Sequence, residues 1–268
     1  MTRIASTQGA LAEWGRSALA WCVGWWQIIH LGALIFALAL SPASYGRANR
    51  FAMARHLYLS TAPILPWFTL LSTLISLVLI RIVVVTAYSY GLSQYALEMV
   101  VRVLVLELIP LTAALFVALR CTIPDSADLA AMRARGELDA LRAQGVDPLR
   151  REVLPRVAGG AFAVLMLAAV SCVVTLVLAY LSVHGFTLGG FEGYTRTVGR
   201  VFNPAVSLIF ALKILFLGLA VSLVPIASVL YDLPPSVRPR TSVELHGLVR
   251  MFMAIVLIEG VSLVGNYY

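Results

Sequence analysis

The chain contains a single lysine, Lys213, and charged side chains of every kind make up only 12% of its 268 residues. That is too little polar surface to cover a water-soluble globule of this length. No G-x-x-x-x-G-K-[ST] phosphate loop is present, and the one lysine lies in an apolar run, so the chain cannot cradle a nucleotide in that way. The G-x-S-x-G, H-E-x-x-H and paired-carboxylate motifs of common hydrolases and metalloproteases are missing as well. The four histidines, His30, His56, His184 and His246, are scattered along the chain. The three cysteines, Cys22, Cys121 and Cys172, sit in or beside apolar segments without paired spacing, which suits packing and indicates neither a disulfide framework nor a metal knuckle. The opening MTRIASTQGALAEWGR puts polar and acidic residues before its apolar run and has no convincing small-residue cleavage site, so a removable signal peptide is not expected.

What the chain has in abundance is apolar sequence, at 60% of residues, and this composition defines an all-α integral membrane protein. Residues 8–40 begin as an amphipathic helix, with Leu11, Trp14, Leu19 and Trp21 separated by Glu13 and Arg16, and turn continuously apolar from Val23. Trp14, Trp21, Trp25 and Trp26 are four of the five tryptophans, and indole rings favour the headgroup level of a bilayer. Two readings fit this segment: an elbow helix lying in one leaflet, or a true span. Five further apolar runs follow at about residues 66–88, 95–119, 155–183, 204–231 and 243–264. At 1.5 Å per residue each exceeds a hydrocarbon core of about 30 Å.

Net charge is +7, almost all of it arginine, and its placement between apolar runs fits a membrane topology signal better than a nucleic-acid groove. Arg47, Arg50 and Arg55, the seven arginines from Arg120 to Arg156, and Arg238 with Arg240 make twelve on one side, against Arg196 and Arg200 on the other. The arginine-rich side is expected to be cytoplasmic. An elbow that does not cross, followed by five spans, then puts the N-terminus in the cytoplasm and the C-terminus outside, with residues 1–268 forming one transmembrane domain.

The longest polar stretch separates the two apolar halves and reads RARGELDALRAQGVDPLRREVLPR from Arg133 to Arg156. Leu129, Met132, Leu138 and Leu141 keep the spacing of one amphipathic helix. Gly145 can take the left-handed conformation that closes it, Asp147 can cap the next helix, and Pro148 fits that helix's first position. Helix, tight turn, helix is the expected hinge.

ELDALRAQGVDPLRREVLPR resembles the E-x-x-A-L-x-x-x-G-[IV]-D-P-[LI]-R…[LVI]-x-x-P-R block of the MlaE family, ABC-transporter permeases that move phospholipids across Gram-negative envelopes. LELIPLTAALFVALR, Leu106 to Arg120, is similar to the family's R-E-L-G-P-V-x-x-A-L-x-x-A-G-R, and Glu259 falls where the family has an acid in its last span. The resemblance runs from about Asn49 to the C-terminus. It implies an elbow helix, five spans and a cytoplasmic coupling helix between the second and third spans, within region 126–154. Carried over residue by residue, Glu137, Leu138, Leu141, Gly145, Asp147, Pro148 and Arg150 form or brace that coupling element. The resemblance further implies a second permease copy or paralogue, two ATPase subunits holding ATP and Mg, a periplasmic MCE-type lipid-binding ring, phospholipid as cargo and an inner-membrane location. No cofactor is expected on this chain, and it is not expected to be an enzyme.

The chain departs from the pattern where Leu106-Glu107 replaces Arg-Glu, Ile109-Pro110 replaces Gly-Pro, and Leu119-Arg120-Cys121-Thr122 replaces Gly-Arg-x-Gly. Glu107 thereby loses its sequence neighbour, and a carboxylate at that depth needs a proton, a wet cavity or a cation from another span. Arg81, on the preceding antiparallel span, is the expected partner, with Arg102 second. Arg81, Arg102, Glu107 and Glu259 are therefore candidates either for a charged lining under lipid headgroups or for structural ion pairs, and Lys213 invites the same two readings. The first, second and fifth spans are expected to face a cavity for acyl chains. A different class of function, an ion-coupled transporter or channel using the intramembrane charges, remains open at this point.

Overall fold

The computed structural model describes residues 2–42, 46–231 and 240–267. The segment 232–239, with Arg238, lies outside them. Helix is the only regular secondary structure among the described residues, apart from short turns. Helix α1 is Thr2–Leu40, α2 is Arg47–Thr61 and α3 is Leu65–Ser89. Helix α4 runs unbroken over residues 93–134, loosening into π-helix at Val101–Leu108 and Ala118–Thr122. The short α5 is Glu137–Ala143, and α6 covers Leu149–His184, opening on a π turn at Leu149–Val153. Helix α7 is Phe191–Val201, α8 is Pro204–Tyr231 and α9 is Arg240–Tyr267.

Among the described residues six stretches, in α1, α2 with α3, α4, α6, α8 and α9, are long and apolar enough to cross a membrane. The arginine-bearing segment after α1 is largely the helix α2. Pro63 and Pro66 separate it from α3, because neither ring can donate a backbone hydrogen bond. The turn between them closes with Ala62 N donating to Tyr58 O at 2.8 Å and Ile64 N donating to Thr61 O at 3.2 Å. Helix α4 also outruns the expected end of its span near residue 119 and stops only at Ala134. At 1.5 Å per residue it is about 60 Å long, twice a hydrocarbon core, so part of it projects beyond.

Helix α6 is the centre of the bundle, packed by α2, α3, α4 and α8. Its glycines make this possible. A Cβ on Gly159 would stand 3.1 Å from Ser60 Oγ of α2, and one on Gly160 would collide with Ser222 of α8. From the opposite wall, a Cβ on Gly218 would stand 3.2 Å from both Cα and O of Ala161. Small residues let helix backbones approach, and that contact replaces the hydrophobic drive that lipid surroundings cannot supply. Around it, Leu31 of α1, Ala113 and Val117 of α4, Val164 and Leu167 of α6, and Leu217 and Val221 of α8 are wholly buried.

Helix α3 buries one stripe, Phe68, Ser72, Ser76, Ile80, Val84 and Ala87, at helical spacing. Ser76 and Thr175 of α6 share a hydroxyl hydrogen bond of 2.9 Å inside that contact. Its other side exposes Trp67, Leu70, Leu74, Val78, Ile82 and Val85, a face suited to lipid or to another apolar helix.

Candidate functional site

Helices α4, α8 and α9 bring three charged side chains to one point inside the bundle. Lys213 of α8 is fully buried, and its Nζ donates to Glu107 Oε2, to Glu259 Oε1 at 2.9 Å and to the Leu106 carbonyl at 3.1 Å. An ammonium has three N–H donors, and all three are used. The third bond has a backbone cause. Pro110 lacks the N–H that would meet the Leu106 carbonyl in an α-helix, and the π stretch Val101–Leu108 ends just before it. Lys213 fills that gap. Glu107 Oε1 in turn accepts from Asn266 Nδ2 of α9 at 3.1 Å.

Beside α3 and the middle of α4 lies an open groove of about 210 Å³, lined by Phe68, Leu71, Ile75, Leu104, Leu108 and Phe116 with only Ser72, Ser76 and Thr112 contributing hydroxyls. Phe68 and Phe116 close one end with ring centroids 5.0 Å apart. Its lining is almost wholly apolar.

The hinge occupies residues 134–154. Gly136, with φ of +73°, ends α4 and starts α5, so the leucine stripe expected as one helix is broken in two. Leu138 remains buried against the main core, while Leu141 is half-buried and Asp139, Arg142 and Gln144 are exposed. Gly145 has φ of +75°, its N–H reaching Arg142 O at 2.9 Å and that of Val146 reaching Leu141 O at 3.0 Å. These bonds satisfy the last carbonyls of α5. Asp147 Oδ1 accepts from Leu149 N at 3.0 Å, capping α6, and buried Pro148 precedes the π turn. Behind the turn, Arg156 holds Glu152 through the carboxylate and the backbone oxygen, both at 2.7 Å, and reaches Met132 Sδ at 3.7 Å. Arg133 of α4 donates to the Val229 carbonyl at the end of α8. The surface charges of α5 pair locally, Arg142 with Asp139 at 2.9 Å, Arg135 with Glu137, and Arg150 with Asp147 at 3.6 Å.

A family model described as Permease MlaE matches residues 53–264, spanning from within α2 to the last turns of α9. The chain belongs to the MlaE permease family. None of the curated proteins matches it. Membership makes it a membrane transport subunit of the lipid ABC-transporter class.

Within this MlaE-family chain the expected partner of Glu107 is corrected. Arg81 is exposed on α3 and does not meet Glu107, and Arg102 lies along its own helix with Glu98 at 3.0 Å. Lys213 holds Glu107 instead, and the same nitrogen gathers Glu259. Asn266 was not singled out in the sequence, although it stands seven residues after Glu259, on the same helix face. The coupling candidates Glu137, Leu138 and Leu141 lie on α5, Gly145, Asp147 and Pro148 in the turn after it, and Arg150 at the start of α6.

Proposed function

We propose that the chain is the permease subunit of an ABC transporter that moves phospholipid between the bacterial inner membrane and a periplasmic MCE-type carrier, driven by separate ATPase subunits. The observation that carries this reading is the hinge. A short exposed helix is turned by Gly145, Asp147 and Pro148 directly into α6, the helix on which the bundle is packed. A push on α5 therefore reaches the core as a rigid-body movement, with no flexible linker to absorb it. Arg133, reaching the end of α8, gives the same push a second entry.

On this reading α5 is the coupling helix and docks into the ATPase, which holds ATP and Mg, with two copies of each subunit in the assembly. The groove between α3 and α4 receives acyl chains. The arginine-rich side faces the cytoplasm, α1 is the elbow in the inner leaflet, and the carrier ring sits over the opposite face. The Lys213 cluster fixes α4, α8 and α9 beside the path of the lipid.

The test is purification in mild detergent with native mass spectrometry. An ATPase subunit and stoichiometric phospholipid should accompany the chain, and the ATPase should be lost when Leu138, Leu141 and Asp147 are replaced by alanine. A chain that purifies alone and lipid-free, in membranes that pass ions without ATP, would replace this reading with ion transport through the intramembrane charges.

A further inference from the structure

Three buried oxygens beside Lys213 have no hydrogen-bond partner: Glu259 Oε2, Ser262 Oγ and Asn266 Oδ1. They stand on α9 at i, i+3 and i+7, so Ser262 is the stacked neighbour of both others, with about 5–6 Å between successive Cβ atoms. Ser262 is only 5% exposed. Its face of α9 looks onto α8, because Glu259 one turn before it meets Lys213 and Gly265 one turn after it lies against Ile209. The hydroxyl is thus set between the carboxylate and the amide.

The charges leave a deficit at the same place. Lys213 from α8 and Glu107 from α4 are the charged groups that face Glu259, and two carboxylates share one ammonium whose three donors are already committed. One negative charge and three acceptors remain in a buried site, where an uncompensated charge is strongly unfavourable. We propose that Glu259, Ser262 and Asn266 bind one small monovalent cation, a sodium ion or a proton. A divalent ion would overshoot the single negative charge that remains. A sodium ion would contact all three oxygens together. A proton on Glu259 would donate to the facing Glu107 carboxylate or to Ser262, whose own hydrogen would then pass on to Asn266 Oδ1. Either cation joins Glu259 through Asn266 to Glu107 and closes a ring on Lys213, tying α9 to α4. The site depends on neither the cargo nor the ATPase.

The test is thermal unfolding of the full chain purified in detergent, at constant ionic strength, with N-methylglucamine chloride exchanged for sodium chloride at a series of pH values. Wild type, Glu259→Gln and Ser262→Ala are compared. Bound sodium gives a saturable rise in wild-type unfolding temperature at fixed pH, a severalfold weaker half-saturation in Ser262→Ala and no response in Glu259→Gln. A bound proton gives no sodium response, but a rise as pH falls that Glu259→Gln abolishes. Wild type and Glu259→Gln responding alike to both sodium and pH would overturn the proposal.

Discussion

Replacing Lys213 with methionine keeps the length and apolar stem of the side chain and removes its charge. The ammonium is fully buried and the two carboxylates are 14% and 17% exposed, so the desolvated case applies rather than the surface one. Removing one partner of such a set costs about 3–5 kcal/mol, because two carboxylates are then left facing each other without a cation. The Leu106 carbonyl loses its donor as well. About 3 kcal/mol corresponds to a change of roughly two orders of magnitude in the unfolding equilibrium. Guanidinium or SDS unfolding in detergent, followed by helical circular dichroism, measures it. The combined variant Lys213→Met, Glu107→Gln, Glu259→Gln should recover most of the loss, since no unpaired charge remains. Arg81→Met should shift stability by no more than about 0.5 kcal/mol, as for exposed positions. A cost of less than about 1 kcal/mol for Lys213→Met, or a triple variant no better than the single one, would refute the cluster as a structural element.

Gly218→Ala should destabilise the bundle by about 1–3 kcal/mol, because the obstacle is Ala161 backbone and cannot rotate away; Gly199→Ala on the exposed side of α7, with nothing near its Cβ, should be neutral or mildly stabilising in the same melts. Gly145→Ala meets open space, so its cost of about 1–2 kcal/mol is that of the left-handed backbone alone, and Gly145→Asn should cost less; equal costs for the two would argue against the turn as the cause. Leu71→Trp, at an exposed position of the lining, should narrow the groove and reduce copurifying phospholipid, read by mass spectrometry, while expression and unfolding temperature stay near wild type; unchanged lipid would move the acyl-chain site elsewhere.

The helices that sequence reading located best are those whose limits are set by local chemistry. Long apolar runs bounded by Pro66, Pro155 and Pro204 announce α3, α6 and α8, and Gly145-Val146-Asp147-Pro148 announces the turn into α6. Features decided by packing were less legible. The break at Gly136 interrupts a leucine stripe whose periodicity continues on both sides, so hydrophobic spacing alone ran across it. The two π segments let α4 continue past residue 119; each ends two residues before a proline, Pro110 and Pro124, whose missing N–H reads in sequence as a helix break and is here absorbed by the wider turn. The partner of Glu107 depended on how α4, α8 and α9 meet; sequence order favoured the neighbouring span and Arg81, while the bundle delivered Lys213 from far along the chain. A stronger signal was available in the lone lysine itself. A single ammonium in an apolar run must find acceptors; of the four acids in the later apolar runs, Glu98 and Glu244 stand in the first turn of theirs, which leaves Glu107 and Glu259 at depth.

The most direct measurement of lipid-permease function reconstitutes the chain with its copurifying subunits in liposomes that carry a fluorescent phospholipid, and follows transfer to acceptor protein with and without ATP. ATP-dependent transfer that disappears in Leu138→Ala/Asp147→Ala, while that variant stays folded and the ATPase stays active alone, is the predicted result. Transfer at the same rate with and without ATP, or unchanged in the hinge variant, would contradict the assignment of α5 as the element that couples nucleotide hydrolysis to lipid movement.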